Sequence, residues 1–205
     1  MSGPLAQLYE EHSSLSAVLH AMSALVREVR DHDKCIDPKV FRAILYYLDV
    51  FPEREHHRKE EGILFPRIRL RTHDADAILD QLAREHEAGE HAIRELEQAF
   101  VRFEERGDHE FAAFAAAVDS YVQRYREHIR KEERDVMPLA ERVLTSQDWA
   151  DIEAAFATHR DPLSGASPQT RHDQLFSRIV MLVPAPLGLG ASLENLAKRT
   201  SPRDR

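Results

Sequence analysis

Apolar residues recur at steps of three and four along most of the chain, the repeat expected of helices with one buried face. Leu5, Leu8, Leu15, Leu19 and Met22 predict a first helix from about Pro4 to Asp31, and His12 sits where that series calls for a leucine. Asp37-Pro38, a cap followed by proline in the first turn, predicts the start of a second helix. It carries Phe41, Leu45 and Leu48, has a kink site at Pro52, and ends near Pro66 or Arg71. A third helix is expected to open near Asp74 and to bury Leu79, Leu82, His86, Gly89, Ile93, Leu96 and Phe100. After Arg106-Gly107-Asp108 a fourth carries Phe111, Phe114, Val118, Tyr121, Tyr125, His128, Glu132 and Val136 on one stripe. Short connections make consecutive helices antiparallel, so the predicted fold is all-α, an up-down-up-down four-helix bundle.

Residues 146–158 and 171–183 predict two further short helices. THRDPLSGASPQT between them reads as a linker and KRTSPRDR as a solvated end. The expected organisation is a bundle over residues 1–145 and a helical extension and tail over 146–205. The apolar stretch LFSRIVMLVPAPLGLG must bury somewhere, by capping one end of the bundle or by joining a homodimer.

Composition narrows the function. With 42% hydrophobic residues, the 205-residue chain can build a sizeable core. Lysine and arginine number 28 against 36 acidic residues, a formal charge of -8, and no basic block is dense enough to follow a phosphate backbone. Nucleic acid is therefore not an expected partner. The late apolar run IVMLVPAPLGLG is too short and proline-broken to span a bilayer, so no membrane role is expected. The single cysteine, Cys35, has no partner for a disulfide or a CxxC pair, which suits a reducing, cytoplasmic compartment.

The chemistry lies in a repeat. HHRKEEGILFP, residues 56–66, almost recurs as HIRKEERDVMP, residues 128–138, and each copy follows a histidine on the preceding helix, His12 and His86. Counting back from Pro66 and Pro138 pairs His56 and Glu60 with His128 and Glu132, which leaves His57 and Glu61 toward the flank or solvent. Residues four apart share a helix face, so each pair can present an imidazole and a carboxylate to one point. Unpaired carboxylates among leucines and tyrosines cost several kcal/mol each, and a cation would compensate. Four neutral imidazoles and two carboxylates suit a pair of divalent first-row metals. Bridging by both glutamates and a water-derived oxygen would leave roughly two of twelve octahedral positions open to small molecules. Iron is the expected metal, because the donor set mixes nitrogen with oxygen and lacks thiolate; zinc or manganese are substitutes.

Two other motifs fail. In HEAGEH, His86 and His91 diverge by about 140° on a helix, so the zincin arrangement is not met. Glu53-x-x-His56 matches half of a ferritin-type pair, but Tyr125 precedes His128 at that spacing. Tyr9, Tyr121 and Tyr125 fall near the proposed ligands, as packing aromatics bonded to carboxylates or as groups that tune the metals. Gly89 is expected to leave room beside an open position.

The order His … His-x-x-x-Glu … His … His-x-x-x-Glu, with KEEGILFP after the second histidine, resembles the hemerythrin-like HHE cation-binding family over roughly residues 5–145. The resemblance implies a four-helix bundle around a non-haem di-iron centre, and oxygen, peroxide or nitric oxide as small ligands. That family includes oxygen carriers and sensors, iron sensors and the repair-of-iron-centres proteins, so peroxide dismutation, iron-centre repair and a sensor whose tail docks a partner are the rival activities. Oxygen carriers of the family have His-x-x-x-His on the third helix, where this chain has Glu90 four after His86. A carboxylate there would favour oxidised metals and oppose a respiratory role. The repair proteins have a second histidine on the first helix, which makes His32, with Glu90, an additional candidate ligand. Their N-terminal cysteine-containing domain has no counterpart here.

Overall fold

The computed structural model describes residues 3–158, 168–185 and 187–190. The first helix, α1, spans Gly3–His32. Asp37 then accepts a hydrogen bond from the Lys39 N–H at 2.9 Å, and Pro38 takes the first helical position. That cap starts α2, which runs without interruption through residues 38–71. Helix α3 spans Asp76–Arg106. It opens two residues later than expected, because Thr72 is extended and its hydroxyl holds the Asp74 N–H in a turn. Gly107 ends α3 with φ of +73°, a conformation open to glycine, and α4 follows at once through residues 108–143. Two short helices, α5 (Ser146–Thr158) and α6 (Pro168–Leu182), complete the described chain. Most of the expected linker and the whole of the expected solvated end fall outside the described residues. Among the described residues the only β-pairing is an isolated bridge between Pro184 and Gly190, and no helix is long and apolar enough to cross a membrane.

Two apolar clusters show how the helices are arranged. One joins Leu5 and Leu8 of α1 to Leu64 and Ile68 of α2, Leu79 and Leu82 of α3, and Met137 and Ala140 of α4. The other joins Leu19 and Leu25 of α1 to Phe41 and Ile44 of α2, Phe100 of α3 and Phe114 of α4. The beginning of each odd helix thus meets the end of each even one, the antiparallel bundle that the short connections predict. The buried residues of 9–14, 52–63, 83–92 and 123–135 are mostly polar and lie between the clusters, with Tyr125 and Ile129 at the edge of the second.

Helices α2 and α4 widen at this level into π-helical turns at Asp49–His56, Glu60–Leu64 and Glu132–Val136. The Phe65 N–H bonds to the Glu60 carbonyl and the Met137 N–H to that of Glu132, five residues back rather than four. Proline supplies the cause. Pro66 and Pro138 have no N–H to give, and their rings clash with the carbonyls of Gly62 and Arg134. The extra residue per turn falls on both repeated glutamates, as π-turns commonly do at functional sites.

The later helices cover the bundle. Ile152 and Phe156 of α5 bury in the first cluster, and Ile179 and Val183 in the second, where α6 packs on α2. Ile179 and Val183 of the apolar tail stretch therefore bury against their own chain, while Met181 and Leu189 stay exposed. Thr145 precedes α5 and exchanges hydrogen bonds with Asp148, whose carboxylate also accepts two from Arg71 at 2.8 Å each. The Arg71 guanidinium and then the Thr145 hydroxyl hold the Asp148 carboxyl below its ordinary range. A carboxyl depressed in the folded state adds stability above the unfolded value near 4 and loses it as pH falls through the folded one. Thr145→Ala should cost about 1 kcal/mol in chemical denaturation. Asp148→Asn should lower the melting temperature at pH 7 and flatten its fall below pH 4; an unchanged acid profile would show that this junction does not carry acid stability.

Candidate metal centre

His12, His56, Glu60, His86, His128 and Glu132 meet in the polar layer, all 5% exposed or less. The histidines form two pairs. His12 Nε2 lies 3.1 Å from His56 Nε2, and His86 Nε2 lies 3.1 Å from His128 Nε2. Two imidazole nitrogens at right angles on one metal, each ~2.1 Å from it, would be about 3.0 Å apart, so each pair has the spacing of neighbouring ligands. The glutamates lie across the pairs. Glu60 turns Oε1 to His56 (3.4 Å) and Oε2 to His86 (3.5 Å), while Glu132 turns Oε2 to His12 (3.2 Å) and Oε1 to His128 (3.1 Å). Despite these distances Glu60 Oε2 and both oxygens of Glu132 lack a partner of hydrogen-bond geometry. Donor atoms of His12, His56, Glu60 and Glu132 fall within 4.8 Å of one another, and so do those of Glu60, His86, His128 and Glu132.

Every one of these imidazoles turns its other nitrogen to a carboxylate. His12 Nδ1 meets Glu133 at 3.1 Å, His56 meets Glu11 at 2.7 Å, His86 meets Glu61 at 2.5 Å and His128 meets Glu85 at 3.2 Å. A proton held on Nδ1 by such a partner leaves the Nε2 lone pair facing inward and makes it a better donor. Lys59 and Lys131 secure two of the carboxylates, Lys59 reaching Glu11 and Lys131 reaching Glu85. Burial opposes charge on His56, yet Glu60 and Glu11 push it up to about 10; at His128 burial is likewise outweighed, by Glu132 and Glu85, with the same result. Burial would raise Glu11, but His56 and Lys59 hold it at about 2. The cluster thus attracts positive charge, as protons or as metal ions.

These carboxylates were not among the expected site residues, although the chain signals them. Glutamate immediately precedes His12 and His86, and Lys-Glu-Glu ends both His-x-x-Lys-Glu-Glu copies, so the repeat encodes ligand partners beside the candidate ligands. His57 corrects an expectation outright. It is 4% exposed and stacks on His86 with ring centroids 3.8 Å apart, not at the flank. The π-turn just before it, which the count along an ideal helix ignores, rotates it inward. Glu61, half exposed, reaches His86. Glu90 lies on the exposed face of α3 paired with Arg94, and His32 is exposed at the far end of α1, so the structure brings neither into the cluster.

A model of the hemerythrin HHE cation-binding domain matches residues 3–140, from the start of α1 into the last turns of α4. The chain belongs to this family. No curated protein and no solved structure matches it. The buried histidine and glutamate clusters of this hemerythrin-family bundle are compatible with cation binding, and the all-α fold is the one that helical periodicity predicts.

Beside the His86–His128 pair lies a further buried carboxylate. Glu53 accepts hydrogen bonds from the hydroxyls of Tyr121 (3.1 Å) and Tyr125 (2.6 Å), the packing role expected of two of the tyrosines. Burial nonetheless raises its carboxyl above the usual range. A cleft of about 520 Å³ between α2 and α3 leads from solvent to Glu53, His57 and His86, with Arg58 and Arg84 along it. Gly89 makes room for Glu53, because a Cβ there would fall 2.8 Å from Glu53 Oε2. Alanine favours a helix over glycine by about 1 kcal/mol, yet Gly89→Ala should destabilise the protein by about 1–3 kcal/mol through overpacking. In a Glu53→Ala background the same change should be neutral or stabilising. Equal effects in the two backgrounds, measured by urea unfolding, would show that Glu53 is not what the methyl group meets.

Proposed function

We propose that this chain binds two iron ions and works as a non-haem di-iron protein toward a small ligand: oxygen, peroxide or nitric oxide. His12 and His56 would hold one ion and His86 and His128 the other, with Glu60 and Glu132 shared between them. The observation that carries this reading is the placement of the two carboxylates. Each directs its two oxygens to different histidine pairs, and three of the four oxygens are buried without a hydrogen-bond partner. A buried carboxylate left so costs several kcal/mol, and a cation between each pair would offset it.

The donor set of imidazole and carboxylate without thiolate suits iron, with zinc and manganese as competitors. Bound iron supplies redox chemistry and coordination positions for a small ligand. The protein's own contribution is to orient the imidazoles, to keep Glu132 ionised and to open a cleft toward the His86–His128 pair. Arg58 and Arg84 share that cleft with Glu61, Glu87 and Glu90, so its wall is polar and of mixed charge, suited to a small polar or neutral ligand. Glu90 stands outside the cluster, so the carboxylate expected there does not weigh against binding oxygen.

Anaerobic titration with ferrous iron should reach two ions per chain. His86→Ala/His128→Ala should retain at most one, and Glu60→Ala/Glu132→Ala neither at micromolar iron. One ion in the unaltered protein, or two in the glutamate variant, would defeat the paired-metal reading. Addition of azide or nitric oxide to the iron-loaded protein should change its optical spectrum, and an unchanged spectrum with both would remove the small-ligand role.

A further inference from the structure

The two halves of the site are copies, and they differ in one place. His56, Lys59, Glu60 and Glu61 of α2 correspond to His128, Lys131, Glu132 and Glu133 of α4; Glu11 and His12 of α1 correspond to Glu85 and His86 of α3. Each of these groups makes the same contact in both halves. The same register sets His57 against Ile129, Glu53 against Tyr125, and Gly89 against Leu15. Ile129 and Leu15 are ordinary core residues. Their counterparts replace apolar bulk by a buried histidine, and by a glycine that admits a buried glutamate.

Such a replacement is costly unless the polar groups have work to do. The His57 ring stacks on that of His86, but its nitrogens are poorly served. Its Nδ1 has no partner of hydrogen-bond geometry, and its Nε2 rests 3.4 Å from the Tyr125 hydroxyl. Yet a ring nitrogen of His57 lies within 4.8 Å of nitrogens of both His86 and His128, a spacing compatible with three ligands of one ion. Glu53 Oε2, also unpartnered, stands 3.4 Å from His57 Nδ1, the same placement that a carboxylate takes behind each of the other four imidazoles.

We propose that His57 is a third imidazole ligand of the metal position formed by His86 and His128, with Glu53 as its positioning residue. The two positions are then unlike: three imidazoles serve one and two serve the other. His57 would hold the metal through Nε2, giving up its long contact with Tyr125, while Nδ1 stays toward Glu53. This inference rests on the paired-metal reading, and the test separates the two.

Cobalt(II) serves as the probe. Each imidazole ligand with a proton on Nδ1 gives one strongly shifted proton resonance that disappears in deuterated water. The full-length protein loaded with cobalt should hold two ions per chain and show five such resonances. His57→Ile, which copies the solution the other half uses at Ile129, should show four and bind its second cobalt at least about tenfold more weakly. Glu53→Gln should keep five and move only the one that His57→Ile removes. Two ions with four resonances in the unaltered protein would overturn the proposal and leave the metal pair intact, as would five in His57→Ile. Fewer than two ions in the unaltered protein would defeat the pair itself, and this inference with it. Should His57→Ile fail to fold, judged by its far-UV circular dichroism, the count in the unaltered protein and the shift in Glu53→Gln still decide.

Discussion

Two carboxylates lie where water cannot reach them, and much of the site answers to that constraint. Glu60 and Glu132 are each 1% exposed, in a layer closed above and below by apolar clusters. A lone carboxylate at such a place would take up a proton or force the helices apart. Here four imidazoles face the two carboxylates, and Glu132 is held well below its ordinary range because burial is outweighed by His128 and His12. Positive charge at the histidine pairs would reconcile a polar layer with a bundle that is otherwise packed with leucine and phenylalanine.

The outer carboxylates complete the arrangement. Glu11, Glu61, Glu85 and Glu133 each come from a different helix than the histidine they support, so each of the four histidines is tied to a neighbouring element. Rotating one helix would misplace a histidine on one side and the partner of a histidine on the other. Lys59, fully buried, shows how strongly the layer is specified: its ammonium is paired with Glu11 at 2.5 Å and packs near the rings of Phe51 and Phe156. The π-turns at Glu60–Leu64 and Glu132–Val136 belong to the same design, since they let neighbouring glutamates serve the centre and the outer ring together.

The bundle was legible because its signals are local and repeated: leucines at helical steps, Asp37-Pro38 at one start and Gly107 at one stop. The six central residues were legible because a duplicated motif shows which histidine and glutamate of HHRKEEG correspond to those of HIRKEER. His57 was misplaced for the opposite reason. Symmetry argues for what the halves share, and His57 is where they differ; an ideal helix also has no π-turn to carry it inward. Glu53 looked like a fragment of a ferritin pair, because its meaning depends on Gly89, Tyr121 and Tyr125, all remote in sequence. Glu90 was drawn toward the site by comparison with oxygen carriers, whereas the α3 surface places it in solvent with Arg94.

The central claim is that the buried carboxylates are shared between two metal ions, one at each histidine pair. Anomalous diffraction at the iron edge from crystals of the iron-loaded protein tests it most directly. Two peaks should appear, one between His12 and His56 and the other between His86 and His128, with Glu60 and Glu132 reaching both. A single peak, or iron bound only at surface carboxylates while the central layer holds none, would contradict the account.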